Sequence, residues 1–582
     1  MLVTALWPAA LAAIVTFAAA KPTRTSRPTF KRQSDSNVQF VSTSDGQFTV
    51  NGSPIKFVGT NAYWLHTLNT EQDIDHTLES IAKSGVKVVR TWAFNDVTSV
   101  PETGTYFALI NNNGTVEVNN GPNGLQKLDM VVDLAEKHGL FVLLALTNNW
   151  SPDPIHDDIE VGAGPSRRSD LVWRANEEPR PRNFLSNDYG GMDTYVRQFG
   201  LKNHDEFYTN PKVKSAFKYY TKCVVERYAK SPAILGWELA NDPRCNSTLP
   251  ATTCNPKVIT KWHSELAQHV KQHDPNHLVS SGNGGHFCVD CPKLFPRDPV
   301  TPPPQVSPVP GATRRAESGF LTKARLVAER ATNRKRNRLS KRKPQSEKNG
   351  VKVRGRWTST ATVKRQQDQE LGSAFDGSYG VDSEDIMNIP QLSFGSFQLF
   401  PDQDTYGPDD SSLSKFENMV QRGNEWIRRH AETARALGKP TTLSGFGLVT
   451  QQNLPKFVPF NSSEAPYASD TDPAPVEGEQ PHAWTTDERD RAFSSWLTQG
   501  LESGLESMIH YQWGQGNLTV QPGTTVHVAV NSTGIGIAAN QTGTSPNDGY
   551  STNGIDADDS VVDFLEEASQ AFAPDSELRR RR

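Results

Sequence analysis

No apolar run in the 582 residues is long enough to cross a bilayer, which takes about 20. The nearest approach is MLVTALWPAALAAIVTFAAA at residues 1–20, with about a dozen apolar residues before a small-residue end. That pattern reads as a secretory signal, and no membrane association is expected. No Gly-rich phosphate loop opens a helical pattern, and no His/Cys cluster has metal spacing. Nucleotide and metal chemistry are therefore disfavoured and no cofactor is expected. Cysteine is scarce, at five residues. Cys245 and Cys254 bracket the loop CNSTLPATTC, which a disulfide can close. Cys288 and Cys291 form a C-x-x-C; it could be half a zinc site, but no second half follows, so a disulfide is favoured. Cys223 is left over on the apolar face of a helical pattern, as expected of a buried free thiol.

What is present divides the chain unevenly. KPTRTSRPTFKR, residues 21–32, ends in a dibasic pair and reads either as a short pro-segment or as a basic linker. Formal charge is -4, yet residues 311–365 hold 18 Lys/Arg and 3 Asp/Glu, a local +15, so the remainder carries −19. Such a block could attract an acidic polymer. Its Pro-rich approach, PVTPPPQVSPVPG, and its few apolar residues favour a disordered insertion over 294–371, and no nucleic-acid partner is expected. The basic tail at 573–582 carries no further signal. Asn-x-Ser/Thr sequons at Asn51, Asn113, Asn149, Asn246, Asn461, Asn517, Asn531 and Asn540 suit a glycosylated extracellular protein. A secreted monomer is the expectation.

Residues 33–293 and 372–572 alternate between short apolar runs and helical patterns. IKFVGTNAYWL, VKVVRTWAF, LFVLLALTNNW, AILGWELAND, HLVSSGN, LSFGSFQLFPD, PTTLSGFG and SMIHYQWG read as strands, nearly all followed by a helix. DIDHTLESIAKSG, for example, sets Ile74, Leu78, Ile81 and Ala82 on one face. Strands so continuously apolar are buried on both faces, hence parallel. Eight such units predict an α/β fold, a (β/α)8 barrel, with a doubly wound open sheet as the alternative.

In a barrel, functional side chains collect at the C-terminal ends of the strands. Those ends read Asn61-Ala62-Tyr63-Trp64, Arg90-Thr91-Trp92, Asn148-Asn149-Trp150, Asn241-Asp242, Asn283, Gln398 to Phe400, Gly445-Phe446 and Tyr511 to Trp513. Recurrent aromatics among amides and a guanidinium suit a sugar cleft, where rings pack on pyranose C–H faces and amides bind hydroxyls.

FVGTNAYWL, VVRTWAFNDVTS, LALTNNW, ILGWELANDPRC, HLVSSGNGG, SFGSFQLFPD, GKPTTLSGFGL and SPNDGYSTNG resemble, in order, the fungal endo-β-1,4-mannanases of glycoside hydrolase family 5. The resemblance covers roughly 36–295 and 372–555 and includes the Cys245–Cys254 loop. It implies a (β/α)8 barrel, secretion, and retaining cleavage of β-1,4-mannan, a β-linked polysaccharide of the cell-wall type. Retention needs two carboxyl groups about 5–5.5 Å apart, one an acid/base and one a nucleophile. The resemblance puts the acid/base at Asp242 and the nucleophile at Gly445, where the family has glutamate at both. Asp242 is a methylene shorter, and Gly445 has no side chain at all. Gln398 and Phe400 replace the family's His and Tyr, Tyr511 replaces a Trp, and Asn283-Gly284 replaces an Asp-Glu pair. Arg90, Asn241, Trp64, Trp92 and Trp513 match positions that hold the nucleophile or the sugar.

Three readings follow. A working hydrolase would recruit another carboxyl, with Asp402 and Glu506 as candidates. A relative without turnover would bind the polysaccharide only. An inverting enzyme would pair Asp242 with an acid about 6.5–9.5 Å away.

Overall fold

The apolar runs form eight parallel strands: β1 (Phe57–Asn61), β2 (Val88–Trp92), β3 (Phe141–Ala145), β4 (Ile234–Glu238), β5 (Leu278–Ser280), β6 (Gly395–Leu399), β7 (Thr441–Phe446) and β8 (Ser507–His510). They pair in the order β5-β4-β3-β2-β1-β8-β7-β6. A parallel bridge from Ser280 to Phe394 joins the two ends and closes the barrel. The computed structural model describes residues 40–152, 181–297, 321–340, 371–463, 465, 483–526, 542–552 and 559–573. The signal, the 21–32 segment, the C-terminal tail, Asn531 and Asn540 lie outside them.

Among the described residues the longer helices are α1 (Glu71–Lys83), α2 (Leu125–Lys137), α3 (Pro211–Tyr228), α4 (Pro256–His273), α5 (Lys323–Ser340), α6 (Lys415–Leu437), α7 (Thr486–Ser503) and α8 (Ser560–Phe572). Local chemistry sets their starts. Thr70, Ser414 and Thr485 make capping boxes with Asp73, Glu417 and Glu488, and Asn210 and Asn255 cap α3 and α4 ahead of a first-turn proline. α6 and α7 stop at Gly438 and Gly504, both left-handed, where a side chain would be strained.

A three-stranded antiparallel sheet over residues 42–55 plugs the N-terminal end of the barrel. Its Phe48 packs on Phe57 and Phe394, in a cluster with Val88, Leu143, Leu235, Leu278 and Ile509, the opening residues of the strands. The opposite end, where the strands finish, is left to the loops.

Two expectations change. Residues 294–371 are not featureless throughout. Residues 321–340 hold α5, which lies on α6 with Leu326 fully buried and Glu329 receiving Arg428 and Arg429. The helix has too little apolar surface to fold alone, but the charged side of α6 gives its ions partners. Cys223 is free yet half-buried, not sealed in the core. Cys245–Cys254 and Cys288–Cys291 are both disulfides. Among the described residues no helix is long and apolar enough to cross a membrane.

Candidate functional site

At the C-terminal end of the barrel, β1, β2, β4 and β6 deliver one hydrogen-bonded polar network. Arg90 gives Nε to Glu238 at 2.5 Å, Nη1 to Asn61 at 2.9 Å and Nη2 to Asn241 Oδ1 at 2.9 Å. Gln398 donates to the same Asn241 oxygen at 2.9 Å, and Asn241 donates to Asn148 at 2.9 Å. Arg90 is thus held by neighbours that are themselves strand residues, which preorganises its guanidinium. Burial pushes the Glu238 carboxyl up, and the Arg90 charge offsets part of that rise.

Asp242 follows β4 in a left-handed conformation, φ 51°, which Asp tolerates better than most residues. Its side chain is buried, and both oxygens are committed. Arg244 Nε reaches them at 2.9 and 2.8 Å, and Trp150 Nε1 donates to Oδ2 at 3.0 Å. Arg244 turns its other face to Asp404, with Nη1 and Nη2 bonds of 2.9 and 2.6 Å. The guanidinium is also stacked 4.7 Å over Tyr379 and 5.5 Å over Trp150. Burial lifts the Asp242 carboxyl above its ordinary range while Arg244 pulls it down. Asp404 is buried too, and there Arg244 prevails, holding it below the ordinary value. Gly284 matters here. A Cβ on it would stand 2.5 Å from Asp242 Oδ1, so only glycine lets the β5 loop lie against this carboxylate.

Gly445, where the resemblance places the nucleophile, is closely bordered by an aromatic ring. A Cβ on Gly445 would lie 3.1 and 3.3 Å from Phe400 ring carbons. The Phe400 ring crowds the place of a Cβ at 445 and would have to yield slightly to admit one. It is fixed edge-on by Phe460, Tyr511 and Tyr550, with centroids at 5.2, 5.4 and 5.4 Å. The neighbouring hydroxyls are spent within the wall: Ser444 donates to Phe397 O at 3.2 Å, and Thr442 accepts from Ser507 at 2.7 Å.

Residues at the strand ends line a small cavity. Arg90, Trp92, Asn241, Gln398, Phe400, Gly445 and Tyr511 all line it, as expected from the strand ends. Asn148, Trp150, Ser186, Asn187 and Phe460 join them. Trp150 was legible as an aromatic at a strand end. Ser186, Asn187 and Phe460 sit on loops with no motif to mark them. Arg244 and Asp404, the partners that hold Asp242, were also missed. The adjacent PR of NDPRC and the second Asp of FPDQD were the only hints.

Several expected positions lie elsewhere. Trp64 and Trp513 are fully buried and do not line the cavity. Trp513 gives its indole N–H to Gln515. Both are packed into the buried wall instead of the cavity lining. Asp242 is not in the lining either; its carboxylate sits behind Trp150. Glu506 is at the wrong end, beside Lys56 at 3.7 Å, with its carbonyl receiving Phe57 N at the start of β1. Asp402 binds Val449 N at 2.9 Å and Trp484 Nε1 at 3.2 Å, and burial pushes it up to about 7. Asn283 spends its amide on Ser281 and Gly285 within a turn. Asp548 accepts the Tyr511 hydroxyl at 2.5 Å and is raised by burial to about 6. Asn149 is fully buried, gives Nδ2 to Asn246 O and accepts at Oδ1 from Arg244 N, so a glycan has no exit there. Asn51, Asn113, Asn246, Asn461 and Asn517 are exposed.

The closed eight-stranded barrel, with a polar and aromatic pocket at its strand ends, is a (β/α)8 fold. The family described as GH family 5 beta-mannosidase-like matches residues 38–298. A probable mannan endo-1,4-beta-mannosidase A-2 of Aspergillus terreus is 34% identical over 416 residues, 70% of each chain. A probable mannan endo-1,4-beta-mannosidase F of Neosartorya fischeri is 35% identical over 416 residues, 71% of this chain and 62% of its own. Mannan endo-1,4-beta-mannosidase F of Aspergillus fumigatus is 38% identical over 248 residues, 42% of this chain and 47% of its own. The matched stretches thus span about half to under two thirds of the length of these last two relatives. The endo-1,4-beta-mannanase of Rhizomucor miehei shares the fold, with a TM-score of 0.54, 21% identity, and cover of 92% of this chain and 99% of that one. This chain belongs to the mannan endo-β-mannosidase-like branch of glycoside hydrolase family 5.

Proposed function

We propose that this protein binds β-1,4-linked mannan chains in the cavity at the strand ends and does not cleave them by the two-carboxylate retaining route. One observation carries the reading: the position that the resemblance assigns to the nucleophile is Gly445, which has no side chain, and the Phe400 ring stands 3.1 Å from where its Cβ would be. Supporting it, Asp242 is tied on both oxygens by Arg244 and Trp150 and is not among the residues that line the cavity. Proton transfer needs hydrogen-bond contact with the leaving oxygen, so Asp242 would first have to leave Arg244. What the cavity does offer is Trp92, Trp150 and Tyr511 for pyranose faces, with Asn148, Asn187 and Gln398 for hydroxyls.

The protein works outside the cell as a glycosylated monomer in this reading. The apolar N-terminal run, the exposed sequons and the two disulfides support it. The test is direct. The purified protein is incubated with galactomannan, glucomannan and mannohexaose, and reducing ends are counted beside a calorimetric titration with mannohexaose. Binding without product is expected. Steady release of reducing ends that Asp242→Asn abolishes would overturn the reading.

A further inference from the structure

Between α5, α6 and the loop at 406–410 lies a second, small hollow that shares no lining residue with the cavity at the strand ends. Its cations are Arg330 and Arg334 from α5 and Arg422 and Arg429 from α6. Arg429 is 4% exposed. Its Nη2 meets Glu329 at 3.1 Å and Glu425 at 3.9 Å, but its Nη1 is buried with no hydrogen-bond partner. Arg330 gives Nη2 to Leu371 O at 3.1 Å, and its Nη1 is likewise buried and unpartnered. Both guanidiniums lie against Phe375, 5.4 and 5.7 Å from the ring centre.

Two cations stacked on one ring with idle donors are an unfavourable arrangement unless an acceptor completes it. Burial and the nearby Arg429 charge push Arg330 down to about 10. The acids of the hollow do not supply the acceptor. Glu425 takes Asn333 and Gln421, Asp410 takes Asn337 and Ser412, and Arg422 is turned to Asp409 and Gly407 O. We propose that this hollow binds a tetrahedral oxyanion, a phosphate or sulfate group, on the Nη1 edges of Arg330 and Arg429, with Arg334 at the mouth. The anion would also bridge α5 to α6 and so hold the inserted helix in place. The proposal stands independently of mannan binding.

Calorimetry of the full chain with inorganic phosphate and with mannose 6-phosphate, in chloride buffer of constant ionic strength, tests it. One-to-one binding is expected, weakened at least tenfold by Arg330→Gln or Arg429→Gln. Arg334→Gln, at a partly exposed position, is expected to weaken it severalfold and guards against misfolding of the buried variants. A marked preference for mannose 6-phosphate assigns the anion to a phosphorylated glycan; equal affinity assigns it to the free ion. Absence of binding at millimolar phosphate, or affinity unchanged in both Arg330→Gln and Arg334→Gln, would overturn the proposal.

Discussion

Gly445 and Phe400 act as a pair. A carboxylate side chain at 445 would bring its Cβ to 3.1 Å from the Phe400 ring, which must shift to admit it. Gly445→Glu is expected to give no mannohexaose cleavage and to cost about 1–3 kcal/mol by overpacking, read from the urea midpoint. Asp242 is the complementary case, an acid retained but reassigned to hold Arg244 between itself and Asp404. Asp242→Asn leaves Arg244 its second carboxylate. A stability loss of roughly 1.5–3 kcal/mol is expected, with mannohexaose affinity changed less than a few-fold, because the side chain does not line the cavity. A tenfold loss of affinity would put Asp242 back in contact with sugar. The identities at both positions were legible in the sequence. That Arg244 and Phe400 would take up the freed space was not, since neither contact leaves a spacing pattern.

At the scale of elements, Asp402 ties the end of β6 to the loop after β7 through Val449 and Trp484. Burial raises it from 3.8 to about 7. A carboxyl raised in the folded state gives its full stability below its unfolded value and loses it as pH climbs through the folded one. The stability advantage of the wild type over Asp402→Asn should therefore shrink between pH 5 and pH 8, by roughly 3 kcal/mol at most. Urea titrations at the two pH values measure it; an advantage that grows with pH would contradict the tether. The inserted α5 depends on Leu326, its only fully buried side chain among the described residues. Leu326→Ala should undock the helix, at a cost of about 2–5 kcal/mol, and speed tryptic cleavage at its Lys and Arg residues without altering the mannan cavity. The strand and helix alternation was plain from periodicity. α5 was hidden because its polar composition gives no amphipathic stripe, and its ions find their partners on α6, far away in sequence, as in Arg325 with Glu432 and Glu329 with Arg428 and Arg429.

For the whole molecule, the barrel separates stability from binding. Phe48 closes the N-terminal end, and the cavity opens at the other. Phe48→Ala should cost about 3–5 kcal/mol and lower the melting temperature, while mannohexaose affinity stays within a factor of two. A parallel fall in affinity would show that the two ends are coupled. The same division explains how the chemistry at the strand ends can change while the fold persists: the strands are held by apolar residues facing the core and the helices, whereas the site hangs on the few residues after each strand.

The sequence by itself pointed to the barrel and the two disulfides, and it carries aspartate at 242 and glycine at 445, where the resemblance places the two acids. Each of these is written in local pattern or residue identity. Only the tertiary structure decided which residues face the cavity. Trp64 and Trp513 turn into the wall, Asp242 turns to Arg244, Glu506 falls at the far end, and Arg330 and Arg429 meet over Phe375. Such outcomes depend on which way a side chain leaves its strand and which distant partner satisfies its charge once water is excluded, and no spacing along the chain records either.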